Sequence, residues 1–170
     1  MKKAQRGNDK AFLTLFQESE EQIYRIAYLY VENQNDALDI VQETAYRSFK
    51  AIKTLKEPKY FKTWLIRIAI NCAIDMLRKQ EKIIQLANKS IEFISEDLQE
   101  DIPLVLTVRD LMEILSVDEK SVVILRFYQD LTIKEVAETL GIPLGTAKTI
   151  LYRGLKKIRE DLEGEDLYGQ

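Results

Sequence analysis

Apolar residues recur at three- and four-residue intervals along most of the chain and nowhere alternate strictly, so the pattern predicts helices throughout. The first spans residues 9–31, with Phe12, Phe16, Ile23, Ile26, Ala27 and Tyr30 on one stripe. Asn33-Gln-Asn35 interrupts it with turn-forming chemistry. Asp36 is the expected cap of a second helix reaching residue 52. Its inner face is Ala37, Ile40, Val41, Thr44, Ala45, Phe49 and Ile52, and its outer face is Asp39, Gln42, Glu43, Tyr46 and Lys50. After a basic loop over 53–59, Pro58 leads into a third helix over 60–82. This helix is apolar on nearly every side: Phe61, Trp64, Leu65, Ile68, Ala69 and Cys72 make one face, and Ile66, Ile70, Ile74 and Leu77 nearly make a second. Such a helix is buried on more than one side, within its own domain or beneath a partner.

Periodicity fades over residues 83–103 and returns in helices expected at 104–115 and 118–128. Two short helices follow. Thr132 caps the first, with Glu135 at capping-box spacing, and Ile133, Val136, Ala137 and Leu140 share a face. Gly141 stops it and Pro143 prevents an immediate restart. The second carries Ala147, Leu151, Leu155 and Ile158 inward and leaves Lys148, Thr149, Tyr152, Arg153 and Lys156 outward. Helix, glycine turn and a donor-rich second helix is the layout of a DNA-reading helix-turn-helix. The expectation is an all-α chain of two small helical domains, 1–85 and 104–163, with a linker over 86–103 and a frayed tail over 164–170.

Charge sharpens this picture. The net charge of −3 does not mark a nucleic-acid binder, but its distribution does. Residues 50–82 hold nine Lys/Arg against three Asp/Glu, and residues 141–160 hold five against one. Between them, residues 86–120 hold nine acids against three bases, which makes the linker acidic. Two basic blocks suit two phosphate-facing surfaces.

Enzyme chemistry finds no foothold. Without histidine, and with Cys72 the only cysteine, neither a catalytic triad nor a zinc finger can be assembled. No glycine-rich phosphate loop or calcium loop is present, and no catalytic, metal or cofactor site is expected. No signal peptide or apolar run of membrane-spanning length is evident, so a cytoplasmic protein is expected.

Two binding chemistries remain. In the second domain Lys148, Thr149, Tyr152 and Arg153 are placed to meet bases, with Lys156 and Lys157 on phosphate. In the first, aromatic and basic residues interleave in Tyr60-Phe-Lys62-Thr-Trp64 next to a loop carrying Lys53, Lys56 and Lys59, the mixture that holds single-stranded nucleic acid. Phe61 and Trp64 have core spacing, which leaves the loop, Arg67 and Asn71 to make the contacts.

Three blocks carry a resemblance: DALDIVQETAYRSFK (36–50), YFKTWLIRIAINCAIDMLRK (60–79) and LTIKEVAETLGIPLGTAKTILYRGLKKI (131–158). In this order they resemble the extracytoplasmic-function (ECF) sigma factors of bacterial RNA polymerase, which contain only sigma regions 2 and 4. The resemblance implies that Asp39, Gln42 and Glu43 contact the coiled coil of the polymerase β′ clamp. It implies that residues 63–71 melt the −10 element, with Asn71 lining a base pocket beneath the 53–59 loop, which looks shorter than in some members. It also implies that the second domain meets the β flap and reads the −35 duplex. Ile150 departs from the family, where many members carry arginine, and its place beside Leu151 points it inward. Most such factors are held by an anti-sigma factor, often membrane-anchored, and the Ile66–Ile70–Ile74 face is a candidate for that contact. Two other readings stay open: a stand-alone helix-turn-helix regulator with an N-terminal sensory or dimerisation domain, and a helical adaptor that binds only protein.

Overall fold

Asn8 and Asn33 set the first two long helices of the computed structural model, which describes residues 1–87 and 110–168. The chain divides into two units, Met1–Gln85 and Leu86–Gln170. A four-residue helix, α1 (Lys2–Gln5), precedes α2 (Asp9–Val31). The Asn8 side chain accepts from the Ala11 N–H at 2.8 Å, and Glu32 closes α2 in the left-handed region at φ 58°. α3 (Gln34–Ala51) is capped by Asn33 rather than by Asp36. Asn33 Oδ1 accepts from the Asp36 N–H at 2.8 Å, and its Nδ2 donates to Asp36 Oδ2 at 2.7 Å. Asp36 therefore occupies the first turn, where a negative charge favours the helix dipole.

Two 3₁₀ turns, Ile52–Thr54 and Pro58–Tyr60, bracket the basic loop. Leu55 is buried between them and anchors the loop, and its carbonyl accepts from Gln5 Nε2 at 2.7 Å. α4 (Phe61–Ala87) then runs five residues beyond the expected end. The core of the first unit gathers Phe12, Phe16, Ile23, Val41, Ile52, Phe61, Leu65 and Ala69. Ile66 and Ile70 are each 1% exposed and Ile74 is half-buried. The second apolar face of α4 is thus buried at Ile66 and Ile70 and partly exposed at Ile74 and Leu77.

In the second unit, residues 110–113 are helical and 114–115 form a turn in place of the end of the helix expected at 104–115, whose residues 104–109 lie outside the described residues. So does the linker, except where α4 continues through Ala87. Ser116 opens α5 (Val117–Val123) with a full capping box to Glu119. A π-helical turn, Ile124–Tyr128, continues it in place of the single α-helix expected there. It ends where the Gln129 N–H reaches the Ile124 carbonyl at 3.1 Å.

α6 (Ile133–Leu140) has the expected Thr132–Glu135 capping box, and Gly141 closes it at φ 68°, a conformation that suits glycine. α7 (Leu144–Tyr168) then runs helically to Tyr168, through most of the segment expected to fray. α5, α6 and α7 pack together over Val122, Ile124, Leu125, Val136, Ala137 and Ala147.

Candidate nucleic-acid interface

The face of α7 follows from its spacing. Ala147 is buried, and Ile150, Leu151, Leu155 and Ile158 are half-buried. Ile150 thus lies partly inward, as its position beside Leu151 predicts. Lys148, Thr149, Tyr152 and Lys156 lie outward, Tyr152 being 70% exposed. Thr149 Oγ1 donates to the Gly145 carbonyl at 3.0 Å. Its oxygen lone pairs remain for a ligand donor. Lys156 lies 3.5 Å from Glu160 in an exposed i,i+4 pair, worth little and easily exchanged for phosphate.

Arg153 and Lys157 are not simply solvent-facing cations. Both bind Glu119, which is 0% exposed beneath α7. Arg153 Nε donates to Glu119 Oε1 at 2.5 Å, and Lys157 Nζ to Oε2 at 2.7 Å. The Ser116 N–H donates to the same Oε2 at 2.8 Å. Burial pushes the Glu119 carboxyl up, but the bonds from Lys157, Ser116 and Arg153 outweigh it and bring its pKa down to about 2. Lys157, expected to meet phosphate, is thus also tied to a buried carboxylate that needs its counter-charge. Glu119, buried beneath this face, is the residue that the hydropathy pattern passed over. Its available signal is the capping-box spacing Ser116-Val-Asp-Glu119.

The first unit presents its candidates differently. Lys53, Lys56, Lys59, Lys62, Arg67 and Asn71 are all exposed. Phe61 is buried and Trp64 half-buried, in keeping with their core spacing. Tyr60, the first residue of the interleaved stretch, is 51% exposed, and Lys59 Nζ sits 4.8 Å from its ring centroid. An exposed ring bordered by lysines is a stacking surface beside a phosphate track.

On α3, Asp39 and Gln42 are exposed, whereas Glu43 is half-buried and accepts from Arg47 Nε at 2.6 Å. Arg47 also donates through Nη1 to Asp75 Oδ2 at 2.7 Å. The bonds to Asp75 and Glu43 raise the Arg47 pKa further above its usual range. Nearby Cys72 is buried, and burial pushes its thiol pKa up, which leaves it a packing residue rather than a nucleophile. Among the described residues no group of His, Cys, Asp and Glu has the arrangement to hold a metal ion, and no helix is long and apolar enough to cross a membrane.

The chain has relatives among known proteins. Residues 15–83 match Sigma-70 region 2, and residues 111–160 match Sigma-70, region 4. The chain is 41% identical to the RNA polymerase sigma factor SigV of Bacillus subtilis (strain 168), an alignment covering 98% of this chain and 99% of that protein. It is 30% identical to the ECF RNA polymerase sigma factor SigW of the same organism, over 95% and 94% of the two chains. Its fold is shared with the sigma factor RpoE, solved in complex with the anti-sigma factor NepR from Bartonella quintana (TM-score 0.73, 20% identity, 91% of this chain and 98% of that one). It is shared also with CnrH, solved with the cytosolic domain of CnrY (TM-score 0.69, 21% identity, 95% and 94%). A stand-alone regulator would share the helix-turn-helix alone, but here both domains and nearly the full length agree. The chain belongs to the ECF sigma factors, the subunits that direct core RNA polymerase to particular promoters and help to open them.

Proposed function

We propose that the two basic surfaces divide the promoter between them. The first unit docks on the β′ clamp through Asp39 and Gln42, with Glu43 beside them, and takes up the melted −10 strand. Its lysine row (Lys53, Lys56, Lys59, Lys62) holds phosphates, with Arg67 and Asn71 on the polar stripe of α4 near an unstacked base. The second unit meets the β flap and lays α7 in the major groove of the −35 duplex, through Lys148, Thr149, Tyr152, Arg153 and Lys156. The factor works in the cytoplasm as a dissociable subunit without catalytic chemistry of its own. An anti-sigma factor, membrane-anchored in this reading, holds it inactive until released.

The observation that carries the reading is the pairing of two donor-rich exposed faces on two separately built domains, one loop-based beside an exposed ring and one on a recognition helix. A lysine loop suits flexible single strands, and a rigid helix suits duplex. The test is transcription from purified components on genomic fragments. Core polymerase plus this chain should start at discrete promoters; replacing Lys53, Lys56 and Lys59 by alanine should block opening while leaving closed binding. Initiation that ignores these lysines would overturn the assignment.

A further inference from the structure

Both carboxylate oxygens of the buried Glu119 are bonded. Its Oε2 is satisfied by Lys157 Nζ and the Ser116 N–H, and Lys157 supplies a full counter-charge. Among the described residues Oε1 receives its bond from Arg153 alone, which uses Nε, the guanidinium nitrogen nearest the stem. The Arg153 side chain stays 53% exposed. Its terminal nitrogens have no partner among the described residues, so the group is held from below and open at its far edge. Gly154 brings the two helices together here: a Cβ on it would lie 3.5 Å from Glu119 Cβ. Glu119 therefore sits directly beneath the turn of α7 that carries Arg153 and Lys157.

An unheld arginine loses rotamer freedom when it docks on DNA, and one already fixed loses less. We propose that Glu119 is a positioning residue for promoter recognition: by engaging Nε it fixes the plane of Arg153, so that the two terminal nitrogens meet the −35 duplex. Lys157 balances the buried charge and is not a DNA contact. The inference rests on the reading of α7 as the −35 reader, and it separates two cations that the sequence ranks together.

The test uses holoenzyme assembled from core polymerase and the full chain. Its probes are duplex fragments around the start sites this factor uses, with the −35 segment intact or scrambled. The readout is the ratio of the two affinities and its salt dependence, beside a thermal melt of the free chain. E119Q and R153A should each reduce the ratio roughly tenfold, about the value of one charge-assisted hydrogen bond. The double variant should lose no more than R153A alone. K157A should leave the ratio within about twofold, and only R153A should lower the salt slope by about 0.9. A Glu119→Gln protein that melts earlier yet keeps the full ratio overturns the proposal, since that is all a structural role requires. Should that variant fail to fold, R153K decides: it keeps the charge but not the Nε anchor with its outward fork, and full retention of the ratio overturns the proposal. If K148A and Y152A also leave the ratio untouched, the reading of α7 itself falls. If they reduce it while E119Q does not, only the role of Glu119 falls.

Discussion

Arg47 on α3 reaches Asp75 on α4, donating from Nη1 to Oδ2 at 2.7 Å while its Nε holds Glu43 at 2.6 Å. One guanidinium thus ties the helix proposed to meet polymerase to the helix proposed to meet melted DNA. The groups are all more than one-third exposed, so the ion pairs are partly screened and each contributes modestly. Arg47→Ala should cost about 1 kcal/mol of stability. A double-mutant cycle with D75A in urea denaturation should show coupling of the same sign. Additive effects would mean that water has taken over the bridge.

The same bond splits the three expected polymerase contacts. Asp39 and Gln42 face solvent with no partner among the described residues, whereas Glu43 is engaged by Arg47. D39A and Q42A should weaken binding to core polymerase without moving the melting temperature. E43A should lower both. Competition binding against a fixed amount of core polymerase, with a melt on each variant, separates the two behaviours.

The features that were legible from sequence are those set by near neighbours. The Thr132–Glu135 box, the stop at Gly141 and the span of α2 follow from caps and periodicity, and all are present. Asn33 and Asp36 are both good caps three residues apart, and only backbone geometry selects the first. The π-turn at 124–128 has no local signature. The polar run Asp118-Glu119-Lys120-Ser121 reads as surface, yet Glu119, Lys120 and Ser121 are buried, Glu119 beneath α7. The exposure of Lys53, Lys148 and Arg153 follows from the pattern, but the anchoring of Arg153 and Lys157 on Glu119 does not. Their partner lies 34 and 38 residues away, beyond the reach of any periodicity.

Gly154 offers a gain in stability. It lies inside α7 with an ordinary helical backbone, and an added Cβ would meet Glu119 Cβ at 3.5 Å and Val123 Cγ2 at 3.6 Å. Both are normal van der Waals distances. Gly154→Ala should therefore stabilise the second unit by about 0.5–1 kcal/mol through helix propensity and reduced freedom of the unfolded chain. Chemical denaturation of the full chain followed by a helix signal checks this. Destabilisation would show that α5 and α7 cannot absorb even a methyl group.

Acid should loosen the second unit first through Glu119. Its pKa falls from 4.5 to about 2 on folding, so above about 4.5 both states are ionised and its contribution is complete. As the pH drops below that, the unfolded chain takes up the proton first, and the contribution shrinks until it vanishes below about 2. Glu135 is shifted in the same direction by its bonds from Thr132, so the wild-type curve alone does not isolate Glu119. The difference between wild type and E119Q should be about 2–3 kcal/mol near neutrality and should narrow between about pH 4.5 and pH 2. A difference that stays constant over that window would mean that Glu119 carries no such shift.

Tyr60 provides the sharpest check on the single-strand surface. Phe61 and Trp64 are largely used in packing, so an aromatic contact with an unstacked base in this loop falls to Tyr60, half exposed beside Lys59. Base stacking on an exposed ring is worth about 1–3 kcal/mol and depends on the π-face, not on the hydroxyl. Tyr60→Ala should therefore reduce the open-complex fraction at least several-fold, read by permanganate reactivity of the melted strand, while Tyr60→Phe stays near wild type. K59A should weaken opening in a salt-dependent way, because it removes a phosphate contact. The ring itself should respond little to salt. If Y60A opens promoters as well as wild type, the lysine row holds the strand by its phosphates alone and the bases lie against the polar stripe of Arg67 and Asn71.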